Sequence, residues 1–278
     1  MTTTQRTAGD GAAAERFQVS TEAAEVYEAR FVPAIFGEWA PLLATIAGVA
    51  PGQSVLDVAC GTGVVARTVV DQQGGDGRVV GVDLNEGMLA VARRIRPDLE
   101  WRRADVVDLP FADGAFDTVL CQMALMFFPD RAAAIREMAR VTRPGGTVAV
   151  CVPAALDAQP AYGPFVEMAV QHAGPTARSL LGSYWSCGDL GELVAWLTGA
   201  GLAVTDTWTH LGTAHFDSPE DLAATEVEAS PLVQLLPQDV YARIRAGARE
   251  VLGPFTDPTG ALPAPLRGHL VAARVPRR

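Results

Sequence analysis

The chain has 278 residues, 49% apolar and 19% charged, which is enough to bury one large domain and too little charge for a disordered or coiled-coil chain. Its formal net charge of −10 argues against a nucleic-acid binder, which tracks phosphates with a basic face. All 22 basic residues are Arg, so Schiff-base chemistry and a Walker phosphate loop, which both need Lys, are excluded.

The first 19 residues lack an apolar run and read as a loose polar tail rather than a secretory signal. No apolar run reaches the roughly 18 residues of a membrane span, so a cytoplasmic protein is expected. Residues 20–47 place Val26, Tyr27, Phe31, Ile35, Trp39 and Leu43 mostly on one side, which predicts helix, interrupted at Pro33 and Gly37 into two pieces.

Short apolar strands then alternate with helices. Strands are expected at Ser54–Ala59, Arg78–Asp83, Glu100–Ala104, Phe116–Gln122 and Thr147–Val152, and helices at Val64–Asp71, Glu86–Arg96 and Arg131–Thr142. Nearly continuous apolar strands joined by helices imply a parallel sheet covered on both faces. Residues 153–187 are rich in Pro, Gly and Ala and read as a partly helical insertion. Asp189–Ala200 is expected as helix, and Leu202–Phe216 as an extended stretch broken like a hairpin at Gly212. Pro219–Leu236 reads as a helix capped by Ser218, and His269–Arg274 as a last strand.

Cys60, Cys121, Cys151 and Cys187 form no CxxC pair, and His172, His210, His215 and His269 are scattered, so no metal site is expected. The informative segment is Val55-Leu56-Asp57-Val58-Ala59-Cys60-Gly61-Thr62-Gly63-Val64-Val65-Ala66: strand, glycine turn, helix start. Glycines there let a backbone approach a ligand closely. Gly61-x-Gly63-x-x-Ala66 also satisfies the dinucleotide fingerprint, and Asp83, 20 residues beyond Gly63, ends the next strand where a carboxylate accepts from ribose hydroxyls. The pattern points to an adenosine-type ligand. Asp57, inside the feeding strand, suits an ammonium-bearing ligand better than a pyrophosphate, which prefers bare helix N-terminal amides.

Asp105, at the end of the third strand, is placed to accept from an adenine amino group. Phe116-Asp117-Thr118-Val119-Leu120-Cys121-Gln122 and Arg143-Pro144-Gly145-Gly146-Thr147 frame the next two strands. Together these motifs, over Ser54 to Val152, resemble the class I S-adenosylmethionine-dependent methyltransferases, in the branch of ubiquinone/menaquinone-biosynthesis and other small-molecule enzymes. The resemblance implies an α/β fold: a Rossmann-like, doubly wound, mostly parallel seven-stranded sheet with an antiparallel last strand and a helical lid. The organisation expected is a tail at 1–19, an N-terminal lid at 20–50, a cofactor-binding core at 51–152 and a substrate-lid insertion at 153–187. Residues 188–278 would complete the sheet, with a helical cap insertion at 217–255.

One departure is Ala59, where the family usually has the first turn glycine; a negative φ would make Ala acceptable there. Met123 and Met126 stand where relatives often carry polar residues, making the acceptor side more apolar. For S-adenosylmethionine as cofactor, the resemblance implies that Ala59, Gly61 and Gly63 line its methionine part, with Asp57 near the ammonium and Asp83 on the ribose. Leu84 and Met88 would pack on the adenine, Asp105 and the Val106 amide would read its edge, and Gln122 would sit beside the sulfonium. Tyr27 is a candidate for the cofactor carboxylate. Plainer roles compete: turn-amide acceptor for Asp57, Asx turn for Asp105, core residue for Met88, strand-end polar residue for Gln122.

In-line transfer of an electrophilic methyl needs positioning and water exclusion more than a catalytic group. If a base operates, His172, His210 and His215 are the candidates, with His172 favoured because it lies in the substrate-lid insertion. The expected acceptor is a medium-sized, largely apolar small molecule of secondary or quinone-type metabolism, not nucleic acid or a membrane. Two other readings stand beside this one: an NAD(P)-dependent oxidoreductase, and a non-methylating protein that keeps the cofactor site.

Overall fold

The computed structural model describes residues 19–228, 232 and 235–277. The expected tail lies almost wholly outside them, as does part of the stretch that follows Glu228. Helix α1 (Thr21–Val26) starts on Ser20, whose hydroxyl accepts from the Ala23 amide. It passes without a break into a π-helical run, Tyr27–Phe36, and after a turn at Gly37 into α2 (Trp39–Ile46). The expected two pieces are therefore three. Pro33 lies inside the π-helical run, the wider winding of which tolerates a residue that cannot donate an amide bond.

The core follows as β1 (Ser54–Val58), α3 (Val64–Gln73), β2 (Arg78–Asp83), α4 (Glu86–Ile95), β3 (Glu100–Arg103), β4 (Phe116–Gln122), α5 (Arg131–Val141) and β5 (Thr142–Pro153). Side-chain caps start two of these helices: Asn85 accepts from the Met88 amide and Asp130 from the Ala133 amide. The pleat sends Val55 and Leu120 to one face, against Trp39, Leu43 and Val69. It sends Leu56, Val58, Val119 and Val148 to the other, against Ile135 and Met138.

After β5 come α6 (Tyr162–Ala173), α7 (Pro175–Gly182), α8 (Leu190–Gly199, capped by Asp189), β6 (Ala203–Phe216), α9 (Pro219–Glu228), α10 (Gln238–Leu252) and β7 (Leu262–Arg274). Ser218 caps α9 as expected, accepting from the Asp221 amide. The seven strands lie in the order β3-β2-β1-β4-β5-β7-β6, with β7 antiparallel to both neighbours and the other pairings parallel.

Two strand readings are corrected. Leu202–Phe216 is no hairpin: β6 runs unbroken along β7, with Gly212 in register with Leu266. Gly212 is there for clearance, since a Cβ would sit 2.8 Å from the Glu38 carboxylate, which accepts from the Thr213 amide. The last strand begins at Leu262 rather than His269. Beyond Gly268, where pairing with β5 stops, β7 pairs only with β6, and Pro263 and Pro265 fit a strand with one open side. This extension carries His215, Phe216 and Leu266 past the sheet and over the cavity described below.

Candidate active site

The glycine turn joins β1 to α3 and is closed by its own backbone. The Gly63 amide donates to the Cys60 carbonyl and the Cys60 amide to the Val82 carbonyl of β2. Gly61 (φ +55°) and Gly63 (φ +90°) both take left-handed backbone. At Gly63 and Gly81 a Cβ would fall 2.3 and 2.4 Å from the Trp101 ring, so both glycines make room for that indole beneath the turn.

Ala59 has φ +54°, so the condition for an unstrained Ala there is not met. Left-handed backbone costs an L-residue about 1–2 kcal/mol. Ala59→Gly is accordingly expected to raise stability by about 0.5–1 kcal/mol, the relief less the added freedom of the unfolded chain. Urea unfolding measures this, and a loss of stability would contradict it.

Two carboxylates flank the turn. Asp57, 1% exposed, accepts from the Ala66 amide at 3.0 Å, so the plainer role of amide acceptor is real for one oxygen. Burial pushes its carboxyl up to about 8, reinforced by the negative charge of Asp83 and opposed by the Ala66 amide and Arg67. Asp83 accepts from the Gly61 amide and the Asn85 amide, each at 2.8 Å, and burial raises its carboxyl too, against those amides. The Leu84 amide lowers it as well, and a carboxylate with about four acceptor sites is not exhausted by these amides.

The N-terminal segment closes over the turn. Tyr27 lies beside Gly61, where a Cβ would be 3.8 Å from its ring, and stacks on Phe31 and Phe36. Glu28 pairs with Arg67 at 2.8 Å, and Arg67 also donates to the Thr62 carbonyl. Gln122, ending β4, donates to the Phe36 carbonyl at 3.1 Å, while its own carbonyl oxygen is buried without a partner, as is the Thr62 hydroxyl. Burial and the neighbouring Asp83, Glu28 and Asp57 charges raise the Tyr27 phenol.

Beside the turn opens a cavity of about 1290 Å³. Its walls come from the N-terminal segment (Tyr27, Phe31, Phe36), α4 (Met88), the loop after β4 (Met126, Phe127), the turn that follows α7 (Tyr184, Trp185), the β6–β7 extension and α9. Tyr27 belongs to both the cavity and the turn. The lining is mostly apolar, with polar groups gathered on α9 and the end of β6.

Of the expected site residues, Asp57, Ala59, Gly61, Gly63, Asp83, Gln122 and Tyr27 converge on the turn and the ends of β1, β2 and β4, and Met88 reaches the cavity. Leu84 offers its carbonyl to Arg103. Asp105 is exposed and forms an Asx turn, accepting from the Val107 amide at 3.1 Å, so the plainer alternative for it is present; Val106 beside it is half-buried. His172 sits near the end of α6 and is not among the residues lining the cavity; His215 is. His210 is engaged by Glu38 and His269 by Thr209. Among the described residues no three His, Cys, Asp or Glu side chains gather as metal ligands.

Sequence reasoning missed Arg67 and Glu28, whose pairing is nonlocal, and Glu226 on the cavity wall. The signal for Glu226 was available, because it stands three and four residues beyond the apolar Ala223 and Leu222, on the side of α9 that is buried.

Residues 56–150 match the family described as "Methyltransferase domain". A demethylmenaquinone methyltransferase of Renibacterium salmoninarum is 42% identical over 46% of this chain and 51% of its own length; the chain thus spans about half the length of such curated relatives. Among solved structures, the YcgJ protein of Bacillus subtilis superposes with a TM-score of 0.60 at 21% identity, covering 87% of this chain and 99% of that one. A Haemonchus contortus phosphoethanolamine N-methyltransferase, solved with S-adenosyl-L-methionine, gives 0.59 at 19% identity, covering 95% of this chain and 59% of that one. The strand order, with β7 inserted antiparallel between β5 and β6, also departs from the 3-2-1-4-5-6 order of nicotinamide dehydrogenases. Residues 56–150 are thus similar to a methyltransferase domain, and the whole chain shares the fold of methyltransferases of known structure.

Proposed function

We propose that the protein transfers the methyl group of S-adenosylmethionine to a largely apolar small molecule of quinone type. The observation that carries this is the juxtaposition of a turn flanked by Asp57 and Asp83 with a mostly apolar cavity of about 1290 Å³, joined through Tyr27. The residues present suit the cofactor. A buried acid in β1 complements an ammonium, Asp83 retains acceptor capacity for a ribose, and the unpartnered Gln122 oxygen and Thr62 hydroxyl await a polar ligand. Ala59, Gly61 and Gly63 would line its methionine part, Leu84 and Met88 its adenine, and Asp105 with the Val106 amide the adenine edge.

When bound, S-adenosylmethionine supplies a methyl made electrophilic by its sulfonium. The chain's part is to hold two reactants in line and keep water out. Tyr27, Phe31 and Phe36 cover the turn, and Met126, Phe127 and Trp185 give the acceptor an apolar bed. In this reading residues 20–50 and 153–187 serve as lids and 217–255 as a cap over the 51–152 core, with 188–278 completing the sheet. No described helix is long and apolar enough to cross a membrane, and four buried free cysteines suit a reducing cytoplasm.

The acceptor is tested with S-[methyl-³H]adenosylmethionine and a short-chain demethylmenaquinol. Label is expected in the organic-soluble product. Cofactor binding without transfer to this or related hydroquinones would favour the non-methylating reading.

Asp57 gives the cofactor step a pH signature. Its raised carboxyl is protonated at neutral pH without ligand, and a bound ammonium favours the carboxylate. Binding is therefore expected to release a proton below pH about 8, and affinity to rise with pH by up to about tenfold per unit until it levels there. Titration calorimetry in phosphate and Tris, which differ in ionisation enthalpy, reads the released proton, and Asp57→Asn should abolish it. Without ligand the sign reverses: a carboxyl raised by folding costs stability progressively as pH climbs from the ordinary carboxylate range to about 8.

A further inference from the structure

We propose that Glu226 is the base that takes the proton from the acceptor's hydroxyl; this rests on the methyl-transfer reading above. Glu226 lines the cavity from α9, and no hydrogen bond or ion pair holds it among the described residues. The other acidic residues of α9 are all engaged. Asp221 holds Arg30 at 3.2 Å and accepts from the Asp217 amide, Glu228 accepts from the Tyr241 hydroxyl at 2.7 Å, and Glu220 is paired with Arg249. Of the α9 carboxylates Glu226 alone is left for a ligand; Asp217, which precedes α9 and also lines the cavity, is exposed.

The same cavity supplies a complement. Trp185, 4% exposed, lines the same cavity and its indole N–H has no partner. Tyr162 and Tyr184 pack against that indole, and both phenols are raised by burial and by the Glu226 charge, which places the three groups in one electrostatic neighbourhood. The Tyr184 hydroxyl is spent on the Met123 sulfur at 3.1 Å. An acceptor with a hydroxyl for Glu226 and an oxygen able to accept from Trp185 fits this cavity.

The step balances without a further reactant. The Glu226 carboxylate takes the hydroxyl proton, and the freed oxygen pair is pushed into the ring. The ring carbon so enriched forms the bond to the transferred methyl carbon, and that ring carbon's own proton then leaves to water to restore the ring and the hydroxyl. The methyl–sulfur bond breaks with its pair on sulfur. Burial holds the Glu226 carboxyl up at about 7, a base matched to neutral pH. The other charged or titratable groups on its walls are Arg30 and Tyr27 of the N-terminal segment, His215 of β6, Asp217 just after it, and Asp221 and Glu228 of α9, with Tyr241 of α10 behind.

The test uses the full chain and 1-naphthol as probe, a phenol that stays neutral over the range. Calorimetry from pH 5.5 to 8.5 on wild type should show affinity rising about tenfold through pH about 7, as the carboxylate forms and accepts from the probe. Glu226→Gln should be flat, with folding confirmed by unchanged S-adenosylhomocysteine binding. In the demethylmenaquinol assay the same variant should lose about a hundredfold in kcat, with the wild-type rise through pH 7 gone. Wild-type naphthol binding that is absent or ignores pH, or a Glu226→Gln profile matching wild type, would overturn the proposal. A wild type that answers naphthol as expected and transfers no methyl would instead sink the methyl-transfer reading and leave Glu226 as an acceptor-binding carboxylate.

Discussion

Asp83→Ala is expected to weaken S-adenosylhomocysteine binding by about a hundredfold or more. A carboxylate taking both ribose hydroxyls supplies two charge-assisted bonds, each contributing about 1.5–3 kcal/mol. The same carboxylate bonds the Gly61 and Asn85 amides, so its loss also frees the turn from the end of β2. Asp83→Asn separates the two effects. Its amide oxygen still accepts from one backbone amide, while its NH2 can no longer accept from a second hydroxyl. Thermal unfolding without ligand should then fall between wild type and Asp83→Ala, with affinity still reduced. Equal affinity in all three proteins would remove Asp83 from the ligand site.

Gly63→Ala is expected to destabilise the fold by about 3 kcal/mol. Two independent costs combine: left-handed backbone for an L-residue, about 1–2 kcal/mol, and a methyl driven into an occupied space, about 1–3 kcal/mol. The occupant is Trp101, whose ring would lie 2.3 Å from the new Cβ. The costs separate in a double-mutant cycle with Trp101→Leu followed by urea unfolding. The pair should be less destabilised than the sum of the single variants, since the shorter side chain vacates the space. Strict additivity would mean that Gly63 is needed for its dihedral alone.

These expectations turn on the part of the fold that the sequence displays most openly. β1, β2 and β4 are short apolar runs, the last two ending in Asp83 and Gln122, and the helices after them begin on local signals, Gly63, Asn85 and Asp130, so their bounds differ from expectation by only a residue or two at most ends. What the sequence hid was nonlocal. Gly212 looks like a turn glycine until the Glu38 carboxylate is seen against it, and Pro263 and Pro265 argue against strand until β7 proves to be paired on one side only. The left-handed backbone of Ala59 and Met123 is imposed where β1 and β4 leave the sheet, and no property of Ala or Met announces it.

The candidate site divides in the same way. Asp57, Gly61, Gly63 and Asp83 are legible because they share one strand–turn–helix–strand unit. The cavity wall is assembled from the N-terminal segment, α7, β6 and α9, distant in sequence, and a histidine's ordinary titration range points to His172 when only the sequence is read. The structure leaves His172 off the cavity and brings in Glu226, which burial moves into that range instead.

The most direct single measurement is calorimetric titration of the wild-type chain with S-adenosylmethionine, S-adenosylhomocysteine and NADH. Micromolar binding of the first two and none of the third is the result this account predicts. Binding of NADH alone would contradict it, and would return the glycine turn and Asp83 to a dinucleotide.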